Sequence, residues 1–204
     1  MKIVSLKICP FVQRVIALLE AKGLPYDVEY ITLDNKPQWF LEISPNAQVP
    51  VLITDDGEAL FESDAIFEYI EESYAPLQAN LTPVEKAQNR AWTFLATKHY
   101  LTQCSAQRSA DAGILAERLE KLEKAFDTIE AKLTGSTYFA GEEIGTVDIA
   151  WLVLLHRACI IEQRSGHDFI GDRPKLKAWQ NALMLSGLPA KSVAPDFVGA
   201  FSDF

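Results

Sequence analysis

Three short segments combine residue types that do chemistry only in particular surroundings: Cys9-Pro10-Phe11, Gln48-Val49-Pro50 and Glu62-Ser63-Asp64. Proline suits the first turn of a helix, so Pro10 makes Cys9 the N-cap residue of a helix that follows a short strand. There the sulfur lies near unpaired backbone N–H groups and the positive end of the helix dipole, and both favour thiolate over thiol. A thiol of pKa ~8.5 is about 3% ionised at pH 7, whereas one lowered to ~6 is about 90% ionised. Arg14, one helical turn onward, can add positive charge. A lone cysteine is more often an inert, buried hydrophobe. That reading fits Cys104 and Cys159, which fall within apolar helical faces, and the Cys-Pro helix start sets Cys9 apart from them. Val12 occupies the position three residues on, where a dithiol enzyme keeps its resolving thiol. Any disulfide chemistry at Cys9 therefore takes its second thiol from solution.

The other two segments read as places to hold a ligand. Pro50 lacks an N–H and belongs at a strand start or edge, which leaves the Val49 backbone free to pair with an extended peptide. An ordinary trans bend is the common alternative at an X-Pro bond. With Ser63 as an N-cap, the following N–H groups can bind a carboxylate while Glu62 holds an ammonium. Plain helix capping explains the same residues without a ligand.

Other chemistries are poorly represented. His99, His156 and His167 lack metal-ligand spacing with any Cys or carboxylate cluster, so no metal is expected. No nucleophile-elbow, P-loop or dinucleotide fingerprint occurs. The 204 residues carry 19 Lys+Arg against 28 Asp+Glu, a net charge of −9. Such a surface repels phosphate backbones and anionic lipids, so neither nucleic acid nor a membrane is expected as a partner. Three scattered cysteines form no disulfide framework and suit a reducing cytoplasm. The start of the chain lacks a small-residue cleavage site, and the longest apolar run, Val147 to Ile161, is too short to span a bilayer.

The elements that must position these segments change character near residue 80. Lys2–Lys7 reads as a strand, Pro10–Lys22 as a helix closed by Gly23, and Tyr26–Tyr30 as a second strand. A short helix over Lys36–Ile43 precedes strands at Pro50–Ile53 and Ala59–Phe61, joined through Asp56-Gly57. Ser63 then caps a helix carrying Ile66, Tyr69 and Ile70. This order predicts a small α/β layer with a mixed sheet. Residues 77–83 read as a linker, dividing a 1–76 domain from an all-helical 84–204 domain. In the latter, helices are predicted from Val84 to about Gln103, from Ala112 to Leu133, from Asp148 to Ile161 and from Pro174 to Leu185. Leu115, Leu119, Leu122, Phe126, Ile129 and Leu133 form an apolar seam on the second of these. The third is apolar almost all round and should be buried at the centre of a bundle. An irregular tail runs from Pro189 to Phe204.

Cys-Pro-Phe, Val-Pro at a strand start and Glu-Ser at a helix start, in that order before an all-helical half, resemble the cytosolic glutathione transferases. The resemblance covers essentially the whole chain. The segment Asn35-Lys36-Pro37-Gln38-Trp39-Phe40, with Pro45 and Gln48-Val49-Pro50-Val51-Leu52, looks most like their cysteine-type omega class. The fold implied is a thioredoxin-like α/β N-terminal domain followed by an all-α helical bundle. Cys9 would form a mixed disulfide with glutathione, Phe11 would line the site, and Lys36 would approach the glycyl end. Val49 would exchange backbone hydrogen bonds with the cysteinyl portion, with Pro50 in cis, and Glu62 and Ser63 would hold the γ-glutamyl group. Asp148 matches the acid of the family's helix-capping motif, which serves folding. Arg157, nine residues later, would face the second-substrate pocket. Tyr100 could contribute an aromatic wall to a pocket, with bundle core or dimer contact as the equal alternative. Two positions depart from the family pattern. Gly145 stands where Ser or Thr usually begins the capping motif, with Thr146 a shifted substitute, and Ala47 replaces the usual Gly before Gln-Val-Pro.

The resemblance thus implies a cytoplasmic, homodimeric enzyme with glutathione as co-substrate. Its chemistry would be thiol transfer, deglutathionylation or reduction of an unidentified small molecule or mixed disulfide. The alternative is a non-catalytic binding or regulatory protein of the same fold. Retention of Cys9, Lys36, Val49-Pro50 and Glu62-Ser63 together favours the enzyme.

Overall fold

The computed structural model describes residues 1–203. The chain divides into two compact units, Met1–Ala79 together with Ala190–Asp203, and Asn80–Pro189. The C-terminal segment thus clusters with the first unit, whereas the sequence reading joins it to the helices before it.

The first unit runs β1 (Lys2–Ser5), α1 (Pro10–Lys22), β2 (Asp27–Tyr30), α2 (Gln38–Ile43), β3 (Val51–Ile53), β4 (Ala59–Phe61) and α3 (Ser63–Ser73). The mixed sheet has the order β2-β1-β3-β4, with β1 parallel to β2 and antiparallel to β3, and β3 antiparallel to β4. Ile3 pairs with both Val28 and Leu52, and Leu52 with Leu60, so β1 and β3 form the buried centre of the sheet. On one face Val4, Ile31, Phe40 and Val51 make a buried cluster beneath α2. α1 packs against α3. It ends at Gly23, whose left-handed φ of 64° lets its N–H return to the Glu20 and Leu19 carbonyls, a close that glycine permits without a Cβ clash.

At residues 188–203 the structure differs from the expected irregular tail: Leu188–Lys191 (α8) and Phe197–Asp203 (α9) are helical. Lys7 pairs with Asp196 at 2.6 Å and Gln13 Nε2 donates to Ser192 Oγ at 3.5 Å, while Phe197 and Phe201 stack with centroids 5.3 Å apart. Pro189, Pro195 and Gly199 interrupt the segment, and its two helices are too short for a helical period to emerge from the sequence. Its order comes from these tertiary contacts.

The second unit holds α4 (Pro83–Gln107), α5 (Ala112–Lys132), α6 (Thr146–Ser165) and α7 (Pro174–Leu185). α4 starts in a capping box: Thr82 accepts from the Glu85 N–H, and the Glu85 carboxylate accepts from the Thr82 N–H. α6 is buried almost all round, as its composition predicted, and packs against α4 and α7. The α5 seam is buried from Leu122 to Leu133 and only half-buried at Leu115 and Leu119. Asp148 anchors α6. Its Oδ2 accepts from the Gly145 N–H at 2.8 Å, and its Oδ1 accepts from the Phe139 N–H at 2.9 Å and the Trp179 indole at 2.6 Å. Gly145 is the N-cap residue and Thr146 is already helical, so Thr146 does not stand in for the missing cap. Only the reverse half of the box, from Asp148, is made.

Candidate functional site

Cys9 is the N-cap residue of α1, with extended φ −72° and ψ 121°, and Pro10 opens the helix. The amides of the first turn have no intrahelical acceptors, so the α1 terminus presents partial positive charge beside the half-buried sulfur. Cys9 Sγ lies 4.0 Å from the Val49 carbonyl oxygen. The Val49–Pro50 peptide is cis, the form the family resemblance implied and not the commoner trans bend.

Val49 and Pro50 line an open cleft with Phe11, Asn46, Gln48, Glu62, Ser63 and Asp64. Five of the residues singled out in the sequence therefore share one wall system, and the Cys9 sulfur approaches it through Val49. Cys9 also borders a small adjoining cavity with Lys7, Gln13, Tyr30 and Ser192. Lys36 Nζ donates to the Ala47 carbonyl at 2.8 Å, which places its ammonium on the loop that leads into Val49. Ala47 adopts φ 51°, the left-handed conformation for which the family's usual glycine is suited.

The α3 terminus differs by one residue from expectation. Glu62, with φ 68°, is the N-cap, and the buried Ser63 is the first helical residue. The backbone turn at Glu62, rather than a serine hydroxyl, opens the helix. Its carbonyl takes the first helical hydrogen bond, from Ile66 N–H at 2.9 Å. Arg14 is 1% exposed and does not serve Cys9 by any bond seen. Its guanidinium donates to Asp64 Oδ1 at 2.6 Å and to the Ser63 carbonyl at 3.5 Å, and it lies over the Phe67 ring at 4.5 Å. Arg14 thus fastens α1 to the start of α3. Asn46, Gln48 and Asp64 complete the cleft without having been picked out as site residues. Gln48 and Asp64 belong to the Gln48-Val49-Pro50 and Glu62-Ser63-Asp64 segments, whereas nothing in the sequence marks Asn46.

Tyr100 and Arg157 belong to the interior of the helical unit, at 0% and 1% exposure. The Tyr100 hydroxyl donates to the Ala150 carbonyl at 2.6 Å, and Arg157 Nη1 lies 3.7 Å from Cys104 Sγ. Tyr100 is a core residue of the bundle, because apolar helical spacing buries an aromatic there as readily as it would expose one to a ligand. Arg157 is also a buried residue and does not lie on an open wall. The three cysteines form no disulfide, and burial pushes the Cys159 thiol up, with Glu162 adding to the effect.

The N-terminal domain model of the glutathione S-transferases matches residues 8–73, and their C-terminal domain model matches residues 88–186. The chain belongs to the glutathione S-transferase family. It is 32% identical to glutathione S-transferase omega-1 of Sus scrofa over 99% of this chain and 84% of that protein. It is 33% identical to the probable cytosolic glutathione S-transferase DHAR1 of Oryza sativa subsp. japonica, over 86% of this chain and 79% of that one. The crystal structure of glutathione transferase Omega 3C from Trametes versicolor superposes with a TM-score of 0.80 at 26% identity, covering 95% of this chain and 84% of that chain. The protein is therefore a cysteine-containing glutathione transferase of omega-like type, with the glutathione transferase fold. Among the described residues no helix is long and apolar enough to cross a membrane.

Proposed function

We propose that this glutathione transferase is a thioltransferase or reductase in which Cys9 is the nucleophile and glutathione the co-substrate. The observation that carries the reading is the position of Cys9: a helix N-cap whose sulfur meets the carbonyl of the residue before a cis-proline, at the edge of a cleft. Relatives named omega and DHAR support it. Phe11 and the Val49 backbone would flank the cysteinyl portion of glutathione. Glu62 and the first amides of α3 would take the γ-glutamyl ammonium and carboxylate, and Lys36 the glycyl carboxylate. These cations and helix ends would offset the net charge of −9 locally.

In the first step the Cys9 thiolate attacks the glutathionyl sulfur of a mixed disulfide. The protein–glutathione disulfide forms, and the former partner leaves as a thiolate that takes a proton from solvent. A second glutathione thiolate then attacks the glutathionyl sulfur, releasing glutathione disulfide and restoring Cys9. One free glutathione is consumed for each mixed disulfide reduced, and it leaves joined to the glutathionyl group taken from the substrate as glutathione disulfide. A pool of reduced glutathione is required, which fits a cytoplasmic enzyme. The protein would act as a homodimer through an exposed stripe on α4, where Ala87, Ala91, Phe94, Lys98 and Leu101 recur at three- and four-residue intervals.

Intact-protein mass spectrometry after incubation with glutathione disulfide should find one glutathionyl group, on Cys9, removable by excess glutathione. Alkylation of Cys9 should stay fast well below pH 8.5, the approximate pKa of a free thiol. Cys9→Ser should abolish thiol transfer with its far-ultraviolet circular dichroism unchanged. Full activity in that variant, or no adduct on the native protein, refutes the proposal. An adduct without turnover assigns the chain to binding rather than catalysis.

A further inference from the structure

One side chain joins the loop that carries Val49 to the N-cap residue of α3. Asn46 Nδ2 donates to Glu62 Oε1 at 2.7 Å, and Asn46 Oδ1 accepts from the Gln48 N–H at 3.2 Å and lies 3.2 Å from the Ser44 hydroxyl oxygen. Ser44 closes the bracket: its Oγ donates to the Gln48 carbonyl at 2.9 Å and accepts from the Gln48 N–H at 3.0 Å. The amide orientation is fixed by its partners, because a reversed Asn46 would set its oxygen against the Glu62 carboxylate. Among the described residues no protein donor is seen on Glu62 Oε2. The other charges around the cleft are engaged: Asp64 with Arg14 at 2.6 Å, and Lys36 with the Ala47 carbonyl at 2.8 Å.

We propose that Asn46 is a positioning residue for glutathione. It occupies Oε1 of Glu62 so that Oε2 is presented to the γ-glutamyl ammonium. Through Gln48 it ties that end of the site to the Val49 backbone. The inference rests on the glutathione reading of the cleft given above.

The test is calorimetric binding of S-methylglutathione, which lacks a thiol and so isolates recognition from thiolate chemistry, at pH 7.0 and pH 5.5. Asn46→Asp keeps the shape and the acceptor for Gln48 but sets a carboxylate against Glu62. Two carboxylates at hydrogen-bond distance cannot both stay ionised without cost, and acidification lets one proton bridge them. Asn46→Asp should therefore bind about tenfold more weakly than the native protein at pH 7.0, equivalent to 1.4 kcal/mol, and recover most of that at pH 5.5. Asn46→Ala should be about tenfold weaker at both pH values, with no recovery. Gln48→Glu adds the same charge to the cleft from a side chain that makes no bond to Glu62, and should show no recovery either. Native-like affinity of folded Asn46→Asp or Asn46→Ala overturns the proposal. So does a pH-independent loss in Asn46→Asp, or an equal recovery in Gln48→Glu. Failure of the native protein to bind S-methylglutathione refutes the glutathione reading itself, and the role of Asn46 with it.

Discussion

Replacing Asp148 separates the hydrogen-bonding role of its carboxylate from its charge. The side chain is 1% exposed and receives three donors, two on Oδ1 from Phe139 N–H and the Trp179 indole, and one on Oδ2 from Gly145 N–H. Asp148→Asn keeps an oxygen for the first two and turns an NH2 group toward the third, stranding the Gly145 amide. A stranded buried donor costs about 1–3 kcal/mol, and the two remaining bonds lose their charge assistance. Burial opposes this loss: it pushes the Asp148 carboxyl above the usual carboxylate range, against the pull of its hydrogen bonds, so removing the charge relieves part of that cost. The expected net is about 2 kcal/mol. Asp148→Ala strands all three donors and leaves a void, for about 4 kcal/mol. Urea unfolding at fixed protein concentration, followed by far-ultraviolet circular dichroism, reads both values from the midpoint at constant slope. The reasoning fails if Asn costs as much as Ala, because the retained oxygen would then count for nothing. It also fails if both variants lie within 0.5 kcal/mol of the native protein, a difference usual for surface substitutions.

Burial, with Arg157 beside it, holds His156 down at about 4 from the usual 6.5. The unfolded chain binds the extra proton between those values, so stability should rise with pH across that window by up to about 3 kcal/mol. His156→Gln should remove that contribution, seen as the difference between native and variant urea midpoints from pH 4.5 to 7; parallel profiles would refute it. On α4, Phe94 and Leu101 are 40% and 60% exposed in the single chain. Sedimentation at micromolar concentration should give twice the 22.8 kDa chain mass for the native protein and the chain mass for Phe94→Glu with Leu101→Glu, and a native monomer would exclude the dimer.

Where local chemistry and periodicity agree, the sequence was enough. Pro10 and Gly23 bracket α1, Pro174 opens α7 and Leu185 closes it, and the all-round apolar composition of the segment after Asp148 marks the buried α6. The order of strands and helices up to Ser73 was legible for the same reason: each carries its own alternation or helical stripe. Cys9, Val49-Pro50 and Glu62-Ser63 could be picked out because their types are unusual at the starts of elements. The cis bond itself came only through the family resemblance.

What escaped depends on which side chain meets which across many residues. Arg14, one turn from Cys9 in sequence, turns to Asp64, fifty positions away, because a buried guanidinium requires a carboxylate and Asp64 lies in the opening turn of α3. Tyr100 has the same helical spacing whether it lines a pocket or fills a core, and only the Ala150 carbonyl within its reach decides for the core. Asn46 looks like any polar residue after a proline until the chain reverses and brings Glu62 to its amide. Ala47 shows the limit most directly. The missing glycine was visible in the sequence, yet the loop keeps its left-handed turn, with Lys36 bound to the carbonyl of Ala47 and Ser44 bonded to both backbone groups of Gln48. A left-handed conformation costs a non-glycine residue about 1–2 kcal/mol, which these three hydrogen bonds can offset at about 1 kcal/mol each. The motif is therefore specified by its bracket of partners as much as by the residue at the turn, and alanine at residue 47 still makes the left-handed turn that leads into Val49.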